Sequence, residues 1–278
     1  MKLNQHYSIQ LVRRHAAFTL VEVAIALAVI GFALVAIIGV LPTGLEVQKN
    51  NREETIIDHD ANYFLNAIRN GTRGLDDLTN YVEAITNFWT FYTVDFDATP
   101  PTTNFLRAGT DSYTRTNSQV NSYPTPLTTF WLTNGTRIIG LLGRDRYELS
   151  GNKATAQLRS NYTAAYVRAL SGAATEKFPQ TNSAVRDLAF NYRFVTEIVD
   201  VQSPTTNTAY GKNLVNNLRE VRLLFRWPLL PRGGTGNGRE VYRAEFGGRK
   251  LQINDPDPLQ PQPHPLWFFE PPAYAKAP

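Results

Sequence analysis

The chain has 278 residues, 42% hydrophobic and 19% charged, which argues against global disorder and allows one large or two modest domains. It contains no cysteine, so disulfides, thiolate metal sites, iron–sulfur ligation and a cysteine nucleophile are all excluded. The formal charge of +4 suggests an anionic partner, but Lys2, Arg13 and Arg14 fall in the first 17 residues, which hold no acid; without those three, 25 basic residues face 24 acidic ones and residues 18–278 carry +1. A nucleic-acid reading loses most of its electrostatic support.

Residues Phe18 to Leu41, FTLVEVAIALAVIGFALVAIIGVL, form a 24-residue run that is apolar except for Thr19 and Glu22. As a helix rising about 1.5 Å per residue it is long enough to cross a bilayer. It exceeds the roughly 7 to 15 apolar residues of a secretory signal and reads as a retained anchor. The basic residues before it place the short leader in the cytoplasm and everything after Leu41 on the far side. Glu22 is the anomaly, because a carboxylate deep in hydrocarbon costs about 2.5 to 3.5 kcal/mol on insertion scales. It either snorkels at the interface or is compensated by a partner.

A basic leader, small Ala17, aromatic Phe18, Thr19-Leu20-Val21, Glu22 as fifth residue after Ala17, and then an unbroken apolar helix occur together. This combination resembles the class III leader junction of type IV prepilins and type II secretion pseudopilins. In that family a membrane-embedded aspartyl peptidase cuts on the cytoplasmic face and the new amine is methylated. The resemblance therefore implies cleavage between Ala17 and Phe18 and N-methylation of Phe18. Ala17 stands where the family usually has glycine, a departure that bears on cleavage efficiency. After cleavage the Phe18 amine is cationic and Glu22 lies about 6 Å along the axis, in the first helical turn. Between helices packed side by side, Glu22 can meet a neighbour's amine in a low-dielectric setting, which makes it an assembly residue.

Pro42 and Gly44 are expected to kink the helix or melt a short stretch of it. Residues 45–69 resume a helix with Ile57, Ala61, Phe64 and Ile68 as an apolar stripe, ended by Asn70-Gly71. Residues 74–89, with Leu78, Tyr81, Val82, Ile85 and Trp89 on one face, predict a second short helix. Residues 95–136 read as loop with one strand near 127–132. From residue 137 the candidates are strands: RIIGLL, YTAAYVRAL, LAFNYRFVTEIV, LREVRLLFRW and REVYRAEF. Alternation is clearest where Leu188, Phe190, Tyr192, Phe194 and Ile198 share a face, and where Val221, Leu223, Phe225 and Trp227 do. The expected fold is α+β and pilin-like, a long amino-terminal helix packed on an antiparallel sheet. The expected segments are a leader (1–17), an assembly helix (18–44), its continuation with a second helix (45–94), a β-rich domain (95–254) and a proline-rich tail (255–278). The stretch NLREVRLLFRWPLLPRGGTGNGREVYR, with the LPTGL end of the apolar run, is also similar to large prepilin-type proteins called Verru_Chthon cassette protein B.

Other chemistry is weakly supported. The glycines of residues 233–238 fit neither a dinucleotide fingerprint nor a P-loop and read as a hairpin. Beyond the leader the histidines are His59 and His264; no HExxH exists, and Asp58-His59-Asp60 reads as a solvated helix face. Asp95 with Asp97, and Asp255 with Asp257, are incomplete calcium pairs. The serines lack a GxSxG elbow. Arg193, Arg219, Arg222, Arg226, Arg239 and Arg243 could build a DNA-binding face, but interleaved glutamates favour cross-strand ion pairs. The tail holds eight of the 17 prolines and reads either as a polyproline extension or as a strap whose Trp267, Phe268, Phe269 and Tyr274 dock.

These readings converge on a non-enzymatic subunit of a pilus or pseudopilus, minor or at the tip given its large globular part. No metal, cofactor or small-molecule substrate is expected, and DNA binding is disfavoured. The resemblance implies prepilin peptidase, other pilin or pseudopilin subunits and the cytoplasmic membrane as partners, with a single pass and an exported globular domain. The rivals are an uncleaved membrane-anchored binding protein or adhesin and, more weakly, a twin-arginine signal at Arg13 and Arg14, which the long run containing Glu22 disfavours.

Overall fold

In a computed structural model of the chain, the described residues are 18–71, 76–114, 128–150, 156–171, 190–201, 208–230, 233–255 and 265–274. The chain separates into two units, residues 1–52 and 53–278. Helix α1, Leu20–Asn70, runs for 51 residues with Pro42 inside it. It is unbroken through Pro42 and Gly44, so the melted stretch expected there is not found. A proline removes one ladder donor, and long helix on both sides holds the turn. The helix ends at Gly71, whose φ of 54° and N–H bond to the Ile68 carbonyl (3.2 Å) make a left-handed stop.

The predicted second helix is instead a 3-10 turn, Asp76–Asn80, followed by strand β1, Val82–Asp95. Its run of Val, Ile, Thr and aromatic residues suits a pleated, half-buried surface, and the apparent helical stripe was a short-run ambiguity. Part of the expected loop is likewise strand: β2, Thr102–Thr114, pairs antiparallel with β1, while β3, Thr128–Trp131, falls where a strand was expected and pairs parallel with β2. RIIGLL is helix α2, Gly135–Leu142, not a strand. Asn134 caps it, its Oδ1 accepting from the Arg137 N–H at 2.8 Å, and the cap decides an apolar run whose periodicity is ambiguous.

The remaining elements are β4 (Tyr147–Ser150), β5 (Ala156–Arg168), β6 (Asn191–Asp200), helix α3 (Ala209–Asn217), β7 (Leu218–Leu229), β8 (Thr235–Gly247), β9 (Arg249–Asn254) and β10 (Pro265–Glu270). The main sheet has the order β3-β2-β1-β5-β6-β7-β8. β4 and β6 share one edge of β5, facing its first and second halves respectively. All pairings other than β2–β3 are antiparallel, and β9–β10 form a separate ribbon.

The core lies between this sheet and the second half of α1. Ile57, Ala61, Phe64 and Ile68, the expected stripe, are buried. The Phe64 ring lies 4.7 Å from that of Phe194, which stacks on Phe225 at 5.1 Å. Tyr192 meets Asp60 and Phe194 meets Phe64, so β6 runs along α1 in the same direction. Antiparallel pairing then puts the starts of β6 and β8 and the end of β7 at the Glu54 end of the sheet, and the opposite termini at the Asn70 end.

The proline-rich tail is not a free extension where it is described. β10 buries Leu266, Trp267, Phe268 and Phe269 against the fold. Glycines admit its backbone: a Cβ at Gly71 would stand 2.3 Å from the Phe269 carbonyl oxygen, and one at Gly143 would stand 2.2 Å from that of Trp267. The Arg144 guanidinium lies over the Trp267 ring at 4.4 Å.

Candidate assembly segment

Phe18 is 80% exposed at the start of α1, and every residue from Phe18 to Arg52 is exposed. The apolar part of α1 is long enough to cross a membrane and has none of its span buried. Ala17 lies outside the described residues.

At its first turn the segment is closed by a reciprocal pair. The Glu22 N–H donates to Thr19 Oγ1 at 3.3 Å, and the Thr19 N–H and hydroxyl both donate to Glu22 Oε2, at 3.4 and 3.3 Å. The Thr19 carbonyl accepts the first helical bond, from Val23 at 3.2 Å. This is a capping box: two otherwise orphaned donors are satisfied within the chain, and the carboxylate sits where the macrodipole favours an anion. Thr19 was not singled out as a site residue, although the Thr-x-x-Glu spacing is the signal that finds it. The box fixes the Glu22 carboxylate at the helix start, on Thr19.

The second half of α1 is held by two carboxylates that reach the sheet. Asp60 is 1% exposed and accepts from the Leu170 N–H (2.9 Å), the Ser171 hydroxyl (2.8 Å) and the Tyr192 hydroxyl (2.8 Å). Asp58 accepts from the Tyr242 hydroxyl. The solvated face expected at Asp58-His59-Asp60 is therefore corrected at Asp60, which is buried and tied to β6 and to the residues that follow β5. Burial raises the Asp60 pKa, against the hydrogen bonds from Leu170, Ser171 and Tyr192 that lower it. Burial, with Asp60 beside it, pushes the Tyr192 phenol well up, so it stays a donor.

Elsewhere, Asp95 Oδ1 accepts from the N–H groups of Asp97 (3.0 Å) and Ala98 (3.3 Å), an Asx turn. Asp255 is ion-paired to Arg137 at 2.5 Å. Asp257 and His264 lie outside the described residues, among which no group of three or more His, Asp or Glu could hold a metal ion. The glycine-rich loop is a hairpin at Gly233-Gly234, beyond which Thr235–Gly247 is β8. The arginines pair across strands as expected only in part. Arg219 meets Asp200 across strands at 2.8 Å and Arg222 meets Glu220 within β7 at 2.8 Å, but Arg193, Arg226 and Arg239 stand directly opposite one another on β6, β7 and β8.

Residues 12–38 match the family model described as the prokaryotic N-terminal methylation motif. The matched segment contains Ala17, Phe18, Thr19 and Glu22, and over it the chain is similar to prepilin-type, pilin-like and pseudopilin-like proteins. Motif and apolar helix together fit a single-pass inner-membrane anchor. No curated protein and no solved structure matches the chain.

Proposed function

We propose that this protein is a structural subunit of a type IV pilus or type II secretion pseudopilus. On this reading prepilin peptidase cuts it between Ala17 and Phe18, Phe18 is N-methylated, and the helix holds the protein in the cytoplasmic membrane until it joins other subunits. The observation that carries the reading is the methylation motif lying on a helix that is exposed from Phe18 to Arg52, while the rest of it is built into a globular unit. So much exposed apolar surface needs lipid first and neighbouring helices afterwards. Glu22 supports the second step, because its carboxylate is held at the helix start by the Thr19 N–H and hydroxyl and can exchange them for a neighbour's Phe18 amine. The globular unit is exported, and its size favours a minor or tip position.

The test is mass spectrometry of the amino-terminal peptide from protein recovered from its native membrane. A peptide beginning at methylated Phe18 is expected. Protein that retains residues 1–17 where the peptidase is present would instead be a permanently anchored binding protein.

A further inference from the structure

The main sheet has an open side at each margin. β3 covers β2 only from Asp111 to Thr114, so residues 102–110 have β1 on one side and, among the described residues, no strand on the other. β8 has β7 on one side and likewise no described strand on the other. Open edges present unpaired backbone donors and acceptors and are commonly blunted by lysine or proline; neither segment contains either residue. The two edges also carry exposed side chains that suit one another. On the face away from α1, Phe105 of β2 is 63% exposed and Val241 of β8 is 48% exposed. On the α1 face, Arg107 of β2 and Glu240 of β8 are exposed and belong to no ion pair among the described residues. Arg107 stacks only on aromatic rings, 5.6 Å from that of Trp89 and 5.1 Å from that of Phe91. Glu240 lies with Glu54 and Asp58 of α1 around a cavity of about 440 Å³, which Arg239 also lines.

We propose that the β2 edge of one copy of the chain adds to the β8 edge of another, so that the main sheet continues from copy to copy. The inference rests on the filament reading above. Strand polarity permits it: β8 runs with β6 and α1, whereas β2 runs against them. Copies that enter one membrane share a direction, so the two edges meet antiparallel, the more stable pairing. Every copy keeps the buried half of α1 on the same face of the continued sheet, and a sheet curled about that face holds the helices inside, side by side. The register follows from the β2 bulge. Against β1 the pairing passes from Phe91–Arg107 to Tyr92–Phe105 and leaves Leu106 as the extra residue. With the same residue left out, Phe105 opposite Val241 puts Arg107 opposite Glu240, an apolar pair on one face and an ion pair on the other. Within one copy Asp111 is level with Tyr242 across the sheet, but in the contact Asn104 is, an offset of about 20 Å along the strands. That is about three times the roughly 6 Å offset of the Glu22 contact, so both fit one helical array in which Glu22 meets the next copy and β8 the third. The contact is heterologous and propagates. It needs copies in succession and replaces the minor or tip position that size alone favours.

The absence of cysteine makes the test clean. In full-length protein produced in its native host, Thr103→Cys with Arg243→Cys puts two thiols on directly opposite residues, with Cβ atoms about 5 Å apart. Thr103→Cys with Arg239→Cys moves one thiol four residues along β8, about 13 Å out of register. A short bismaleimide is expected to give a ladder of dimers, trimers and longer species with the first pair and monomers with the second, and each single variant stays monomeric. In parallel, Arg107→Glu should lower the amount recovered in sheared filaments about fivefold, and adding Glu240→Arg should restore it to within about twofold. Loss of Arg107 stacking on Trp89 would not be rescued in this way. Equal ladders from the two pairs, a ladder that stops at dimers, a single-thiol variant that dimerises, or a charge reversal without rescue overturns the contact. Monomers alone, from protein bearing methylated Phe18 and recovered with filaments, overturn it and leave the filament reading standing. Wild-type protein that keeps its leader and never enters the sheared fraction defeats both, and its amino-terminal mass tells the cases apart.

Discussion

Helix α1 is one element by hydrogen bonding and two by environment. From Phe18 to Arg52 every residue is exposed, whereas in the part from Glu53 to Asn70 seven residues are buried, Asp60 among them. The first half has apolar residues all round, which suits lipid or a bundle of like helices; the second has a single apolar stripe, which suits one sheet. The carboxylates differ in the same way. Glu22 closes its own helix start and stays exposed, while Asp60 is buried by partners from β6 and the segment after β5. Sequence continuity of a helix therefore says nothing about continuity of environment: the buried half holds the fold, and on the proposed reading the exposed half acts in the membrane and filament.

If that division holds, substitutions in the two halves should move different observables. The largest effect is expected from ending the chain after Asn254. This removes the buried Leu266, Trp267, Phe268 and Phe269, each worth about 1.5–3 kcal/mol, and limited proteolysis should find no stable globular unit. Phe64→Ala should cost about 3–5 kcal/mol in denaturant unfolding, and Asp60→Ala about 1–3 kcal/mol for each partner left without an acceptor. Glu22→Ala, in contrast, should leave the melting temperature and leader processing unchanged while lowering recovery in sheared filaments; unchanged recovery would remove Glu22 from the assembly account. Thr19→Ala should be milder still, fraying the first turn by about 1 kcal/mol.

The pH dependence of stability sharpens the same contrast, because its resolved titrating groups lie in the globular unit. The folded-state pKa of Asp60 is raised, so its contribution is fully present below the unfolded pKa and lost as pH rises through the folded one. Lys250, 2.5 Å from Asp145, is pushed down to about 8, chiefly by burial. The unfolded chain then binds the extra proton above pH 8, and stability should rise between pH 8 and the ordinary lysine range. Lys250→Met should flatten that rise in melting temperature, and an unaltered profile would assign it to other groups.

What could be read from the sequence follows from how local each signal is. The amino-terminal segment was legible because leader, Phe18, Glu22 and apolar run are contiguous, and the stripe Ile57, Ala61, Phe64 and Ile68 because it spans three turns. β6 and β7 were legible by alternation. Residues 74–89 misled because Leu78, Val82, Ile85 and Trp89 fit a helical period over a run too short to exclude a strand. α2 misled because its apolar run gives no period and the deciding Asn134 cap is a single side chain. The arginine row was invisible because register, not sequence spacing, puts Arg193, Arg226 and Arg239 side by side. The docking of the tail was open for the same reason: its glycine-lined seat is assembled from Gly71 and Gly143, far from it in sequence.

The most direct test of the division within α1 is thermal unfolding of residues 53–278 alone, compared with the full-length protein in detergent. Cooperative unfolding at the same Tm is the result expected if the exposed half contributes nothing to the fold. A clearly lower Tm, or a broad non-cooperative transition, would mean that residues 18–52 help to hold the globular unit together and would contradict the separation of roles.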